Sequence, residues 1–315
     1  MQEATLTLRL KQRDLDLLQQ RSPRDDAIRF GRATTLSTLA ECQRQLHGEK
    51  AAAEREQLLR DAIAIVEALR AERSDDPNVV RTLASMYQSL SYALQDQQRY
   101  AEALTLLDRE IALVEPLLDD KDARPRKKEL LMPAWSSQGS THFEAEDFAA
   151  AVQAHQRSAD YAEQLTHDFP TIAAYVCRLG VMLSNGAGAM LRVGEGTQAE
   201  PILRRAIEQH LAALALSPQH AEAQRFLRTC HYLLADCLAT LDRPVEAIAL
   251  AEELARQRAG ARDAIEAASI LSQLLAREPP LPLPDPAAIR HRAFELLLEA
   301  ERRGWPDSFS LLLWS

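Results

Sequence analysis

The sequence predicts an all-α protein, a right-handed solenoid of antiparallel helix pairs. Three observations predict it. Ala103, Ala151, Ala199 and Ala247 stand 48 residues apart, and apolar residues recur at matching offsets around each of them. Aromatic residues are only 5% of the chain while alanine and leucine dominate, as closely packed helices require. Pro170 and Pro218 fall between the apolar helical patterns, where a missing N–H is harmless. A period shared by four alanines implies stacked repeats that contact only their neighbours, so a chain of 315 residues needs no single large core.

The elements follow in order. Residues 1–21 form one helical pattern with Leu6, Leu10, Leu17 and Leu18 apolar, closed by Ser22 and Pro23. Helix 24–47 carries Ile28, Leu36, Leu39 and Leu46, and helix 51–73 carries Leu58, Leu59, Ile63 and Val66. This first copy is degenerate, because Arg55 stands where the later copies have alanine. The breaker SDDPN at 74–78 opens the second repeat, anchored on Tyr87, Leu90, Leu94, Ala103 and Leu107. In the third, Trp135, Gly139 and His142 share one helical face, and Phe148, Ala151, His155 and Ser158 mark the partner helix. Gly139 and Ala151 are small enough for two backbones to approach, and Pro133 is expected to kink or delay the first helix. The fourth repeat starts near Pro170 with Leu183, Ala187, Met190, Ala199 and Leu203; the fifth starts near Pro218 with Leu234, Leu238, Ala247 and Leu254. A broken sixth unit has helices 261–277 and 286–303 across a proline-rich linker, with Gly304 as the stop and the apolar tail to 315 as a cap. The expected organisation is a capping helix or half repeat over 1–23, five helix pairs over 24–260, and a degenerate pair with its cap over 261–315.

These anchors resemble the tetratricopeptide (TPR) repeat, whose signature places Trp, Leu-Gly and Tyr on one helix and small or aromatic residues on the next. The usual TPR period is about 34 residues, so a longer period calls for helices of roughly 18–22 residues. A narrower resemblance covers about 77–305. Segments such as HDFPTIAAYVCRLGVMLSNGAGAML, AEAQRFLRTCHYLLADCLATLDRPVEAIALAEELAR and RHRAFELLLEAERRGW look like the long-period TPR tails of bacterial Hanks-type serine/threonine kinases, as in planctomycetes. No glycine-rich loop, V-A-I-K, H-R-D or D-F-G accompanies them, so kinase activity does not follow.

The TPR resemblance implies a concave face lined by the first helix of each pair. Carried over by register, the residues facing a partner are Arg44; Ser85, Gln88, Ser89 and Tyr92; Ser136, Ser137 and Ser140; Ser184, Asn185 and Gly188; Thr229, Tyr232 and Asp236. The strongest candidates are Arg44, Gln88, Tyr92, Ser136, Ser140, Asn185, Gly188, Tyr232 and Asp236. This row is small, polar and hydrogen-bonding, where a surface built only for solubility carries Glu and Lys. It suits a protein partner or an extended peptide, with Arg44 and Arg81 positive at one end and Asp236 negative at the other. The same small residues would also permit superhelical curvature. Asn185 matches one position of the carboxylate-clamp TPRs, but the lysines of that clamp are missing. The implied role is an interaction scaffold, a regulatory kinase tail among its forms; the alternative is a peptide sensor that switches an effector.

Other classes find less support. A formal charge of −9 argues against a nucleic-acid binder. No run of 18 apolar residues is present, and the N-terminus lacks the basic start and apolar core of a signal peptide. Cys42, Cys177, Cys230 and Cys237 show no framework spacing and read as free thiols of a cytoplasmic protein. No cofactor, metal or catalytic constellation is expected. His142 and His155 read as a hydrogen-bonded core pair, and Cys230, His231 and Cys237 match no metal spacing. The glycines between Gly180 and Gly196 read as close helix packing, or as backbone access for a ligand, rather than a phosphate loop. The sequence leaves the oligomeric state open.

Overall fold

The computed structural model describes residues 2–47, 51–72, 76–116, 124–257, 260–277 and 280–305. Among them are thirteen α-helices and no strand. They are α1 (Gln2–Arg21), α2 (Asp26–His47), α3 (Ala52–Glu72), α4 (Pro77–Gln95), α5 (Tyr100–Val114), α6 (Arg124–Glu144) and α7 (Phe148–Asp168), then α8 (Ala173–Arg192), α9 (Gly196–Leu216), α10 (Ala221–Thr240), α11 (Pro244–Gln257), α12 (Ala261–Leu275) and α13 (Pro286–Arg302). The chain forms two compact units, Met1–Leu165 and Thr166–Ser315. The architecture is all-α, a TPR-like solenoid of antiparallel helix pairs.

In the first unit α1 packs on α2, and pairs α2/α3 and α4/α5 follow, with α5 against α6. The α6/α7 pair closes where Ser158 Oγ donates to the Met132 carbonyl at 2.6 Å. In the second unit α8/α9, α10/α11 and α12/α13 form the pairs. First helices also touch the next first helix: α4 meets α6, α8 meets α10, and α10 meets α12. The four alanines that set the register are fully buried at 0% exposure, which places each at a helix crossing where no larger side chain fits.

The repeat is written in the backbone as well. The residues with left-handed φ inside the array are Gln98, Glu146, Gly194 and Asp242, again 48 apart. Each follows a first helix and closes it in the same way. The next residue's N–H reaches back to the helix: Arg99 to the Leu94 carbonyl at 2.9 Å, Asp147 to His142 at 2.8 Å, Glu195 to Met190 at 2.9 Å and Arg243 to Leu238 at 2.8 Å. These are Schellman caps, which satisfy the last carbonyls of a helix and reverse the chain. Only one of the four uses glycine, so the sequence hides the motif. A charged cluster recurs too. Arg99 joins Glu56 (2.7 Å) and Glu102 (2.7 Å) in the first unit, and Arg243 joins Glu200 (2.5 Å) and Glu246 (2.6 Å) in the second. Every member of the second cluster lies 144 residues, three repeats, beyond its counterpart.

Two expectations change. The leucine stripe of α1 is not core: Leu6, Leu10, Leu17 and Leu18 are all exposed. Leu15 instead packs on α2 beside Gly31, where an added Cβ would be in ordinary contact at 3.6 Å. Pro133 neither delays nor ends α6, which runs through it from Arg124 to Glu144. The lost N–H is tolerated where α6 is held by α5 and α7. The proposed C-terminal cap and part of the SDDPN breaker lie outside the described residues, although Trp305 packs against the core of the second unit.

Candidate functional site

In the first unit, α2, α4 and α6 place the predicted surface residues side by side. Tyr92 is 44% exposed, and its hydroxyl bonds Ser137 Oγ at 2.8 Å. Gln88 Nε2 donates to the same Ser137 oxygen at 3.3 Å, and Gln95 Nε2 donates to Thr141 Oγ1 at 2.7 Å. These bonds lace α4 to α6 and leave the Tyr92 ring presented outward. Ser136 and Ser140 lie beside this seam, partly buried.

On the other flank of Tyr92 is a cavity of about 360 Å³ between α2, α3 and α4. Thr38, Glu41, Arg44, Arg55, Ser89 and Tyr92 line it. Arg44 and Glu41 form an ion pair at 2.5 Å, and that bond holds the Glu41 carboxyl below the usual range. Arg55 is 3% exposed and donates to Asp96 Oδ2 at 2.9 Å. The arginine that breaks the alanine register thus forms part of the cavity wall. Its signal was in the sequence: a long cation at a position that elsewhere admits only alanine must lie along a gap. A cavity with two guanidiniums, a carboxylate, the hydroxyls of Ser37, Thr38 and Ser89, and an aromatic ring can bind a polar chain segment through hydrogen bonds and stacking.

In the second unit, Asn185 and Gly188 lie on α8, partly buried, and Tyr232 and Asp236 lie on α10. Leu233 of α10 approaches Gly188, where an added Cβ would be in ordinary contact at 4.0 Å. Tyr232 packs against the core, and burial raises its phenol above the ordinary value. Asp236 is paired: Arg277 Nη1 meets its carboxylate at 2.6 Å. Its charge is therefore balanced within the chain, contrary to the expected negative end.

The histidines also differ from expectation. His142 and His155 do not pair. His142 Nδ1 meets Asp147 at 3.3 Å, while the His155 ring fills the slot left by Gly139, where an added Cβ would sit 2.7 Å from the ring. Burial pushes His155 down to about 4, so the ring is neutral. Gly180 makes the same kind of slot for His210, 2.8 Å from its ring. The glycines of α8 thus serve packing, at least at Gly180.

No family model matches the chain, and no curated protein matches it by sequence. Solved structures do match. The structure titled BtubC (BKLC) from P. vanneervenii superposes with a TM-score of 0.55 at 14% identity, covering 90% of this chain and 94% of the other. A Podosopora anserina putative kinesin light chain with nearly identical TPR-like repeats matches at 0.51 and 16% identity, over 78% of this chain and 98% of the other. At such low identity the likeness concerns the fold, and it agrees with the TPR-like architecture derived above.

Proposed function

We propose that this chain is a non-catalytic scaffold that binds an extended peptide or a loop of a partner protein on the first helices of its N-terminal unit. One observation carries the reading. Arg44, Ser89 and Tyr92, assigned to a binding surface by the TPR resemblance carried over in register, line one cavity from two successive first helices. Tyr92 supplies apolar area at small entropic cost, and the partly exposed row Gln88, Ser136, Ser140 continues the polar surface towards α6. An extended backbone laid across α2, α4 and α6 would find donors and acceptors along its length. The Glu41–Arg44 and Arg55–Asp96 pairs keep the cavity near neutrality, which favours a ligand with both polar and apolar side chains over a strongly charged one.

The finer reading, a regulatory tail acting on a serine/threonine kinase, rests on the sequence resemblance. Co-purification with a Hanks-type kinase, lost in a Tyr92→Ala variant, would support it. The general reading is tested by selecting a displayed peptide library on the full chain. Peptides enriched on the wild type should be lost on a Gln88→Ala/Tyr92→Ala variant of unchanged helix content. Equal enrichment on both would remove the binding surface from these helices.

A further inference from the structure

One end of the second unit gathers metal-ligating side chains that belong to no part of the binding surface. Cys177 projects from the second turn of α8 and is fully buried. His220 caps α10, and Glu222 stands in that helix's first turn, exposed. One ligand atom from each of these three lies within 4.8 Å of the others. A tetrahedral zinc ion, with bonds of about 2.0–2.3 Å, wants its ligand atoms roughly 3.3–3.8 Å apart. The three groups therefore need only a small closure to share one ion.

A fourth residue supports the set from behind. His210 of α9 is fully buried, and its Nδ1 lies 3.9 Å from Cys177 Sγ. Its Nε2 faces Gly180 and has no hydrogen-bond partner among the described residues. A neutral ring with its proton on Nδ1 resolves both facts: Nδ1–H donates to the sulfur, and no donor is left unpaired on Nε2. That donor suits a metal-bound thiolate, in the way outer groups commonly orient and stabilise ligands.

We propose that Cys177, His220 and Glu222 bind a divalent transition metal of the zinc class, with His210 as a positioning residue for the sulfur. Thiolate, imidazole and carboxylate together favour such an ion over magnesium or calcium. Binding forms a metal–sulfur bond, and the Cys177 thiol proton leaves to solvent. The exposed side at Glu222 leaves a fourth position for water. In the unliganded arrangement His220 Nδ1 accepts from the Ala223 N–H at 3.2 Å. Either ring nitrogen takes the ion only if that bond is released, because a neutral imidazole has one free lone pair. The ion thus replaces a helix cap with a staple between α8 and the first turn of α10. Sequence spacing gave no sign of this, because the ligands come from separate helices.

The test uses the full chain, stripped with a chelator, titrated with Zn²⁺ by calorimetry and with Co²⁺ by absorption. One equivalent should bind, with the near-ultraviolet band of a cobalt–thiolate bond, and Zn²⁺ should raise the melting temperature. Cys177→Ala should abolish the band. Glu222→Gln and His220→Asn should each weaken binding at least tenfold, and the asparagine keeps a side chain able to cap α10. No saturable uptake by the wild type, or unchanged affinity in Cys177→Ala or Glu222→Gln, overturns the proposal. Glu222 is exposed, so its variant decides the matter even if the buried cysteine proves necessary for folding.

Discussion

At the residue scale, the repeat constrains single positions in ways the side-chain pattern alone does not show. Gly194 sits at φ +82° in the cap that Gln98, Glu146 and Asp242 form at lower φ. A side chain in the left-handed region costs roughly 1 kcal/mol. Gly194→Ala should therefore lower the urea midpoint, and Asp242→Gly should raise it slightly despite the greater flexibility of glycine in the unfolded chain. Equal midpoints for Gly194→Ala and the wild type would contradict the cap assignment. Gly139→Ala should cost about 1–3 kcal/mol, because the new methyl meets the His155 ring rather than a flexible chain end; an unchanged thermal midpoint would show that the ring can move aside.

Glu110 of α5 gives a test by pH. It is 1% exposed, and burial pushes its carboxyl up to about 8 from 4.5. Between those values the folded state holds a proton that the unfolded state has released. The associated stability is thus full below about 4.5 and lost as pH rises through about 8. Glu110→Gln should remove that decline and leave the variant more stable than the wild type above about pH 8. Parallel stability curves for the two proteins would rule this out.

At the element scale, much was legible. The period of the alanines located the helix pairs because a small residue is obligatory where two helices cross, and that need survives when the other anchors drift. Ala199 shows the constraint: it is 0% exposed, and Ala199→Leu should overpack the α8/α9 crossing and cost about 1–3 kcal/mol, measured as a lower urea midpoint. The leucines of α1 misled because their helical spacing says that an apolar stripe exists, not that anything covers it. Pro133 misled because its local cost is set against tertiary packing that a sequence window does not contain. The recurrence of the caps was hidden because Gln98 and Glu146 carry no turn signature, unlike Asp242 and Gly194, and their left-handed conformation is imposed by the helices on either side.

At the scale of the whole molecule, the fold was easier to read than the chemistry. Register, read through the TPR resemblance, put Arg44, Ser89 and Tyr92 on one expected surface, and the three line one cavity. It could not show that Asp236 already has Arg277 as a partner, because that arginine lies in the degenerate last unit where the period fails. Nor could it show that Arg55 lines a cavity beside them, although its break in the register pointed there. Long-range pairings of this kind depend on three-dimensional approach, which residue spacing encodes only for the repeated positions.

The central claim is that the first helices of the N-terminal unit hold a peptide or partner loop through Tyr92 and its polar neighbours. Its most direct test is fluorescence anisotropy of a labelled peptide, chosen by selection on the wild type and titrated against wild type and Tyr92→Ala. If Tyr92 is a hot spot, its loss should cost about 2 kcal/mol or more, roughly a thirtyfold weaker Kd, with helix content and melting temperature unchanged. The same Kd for both proteins would contradict the account.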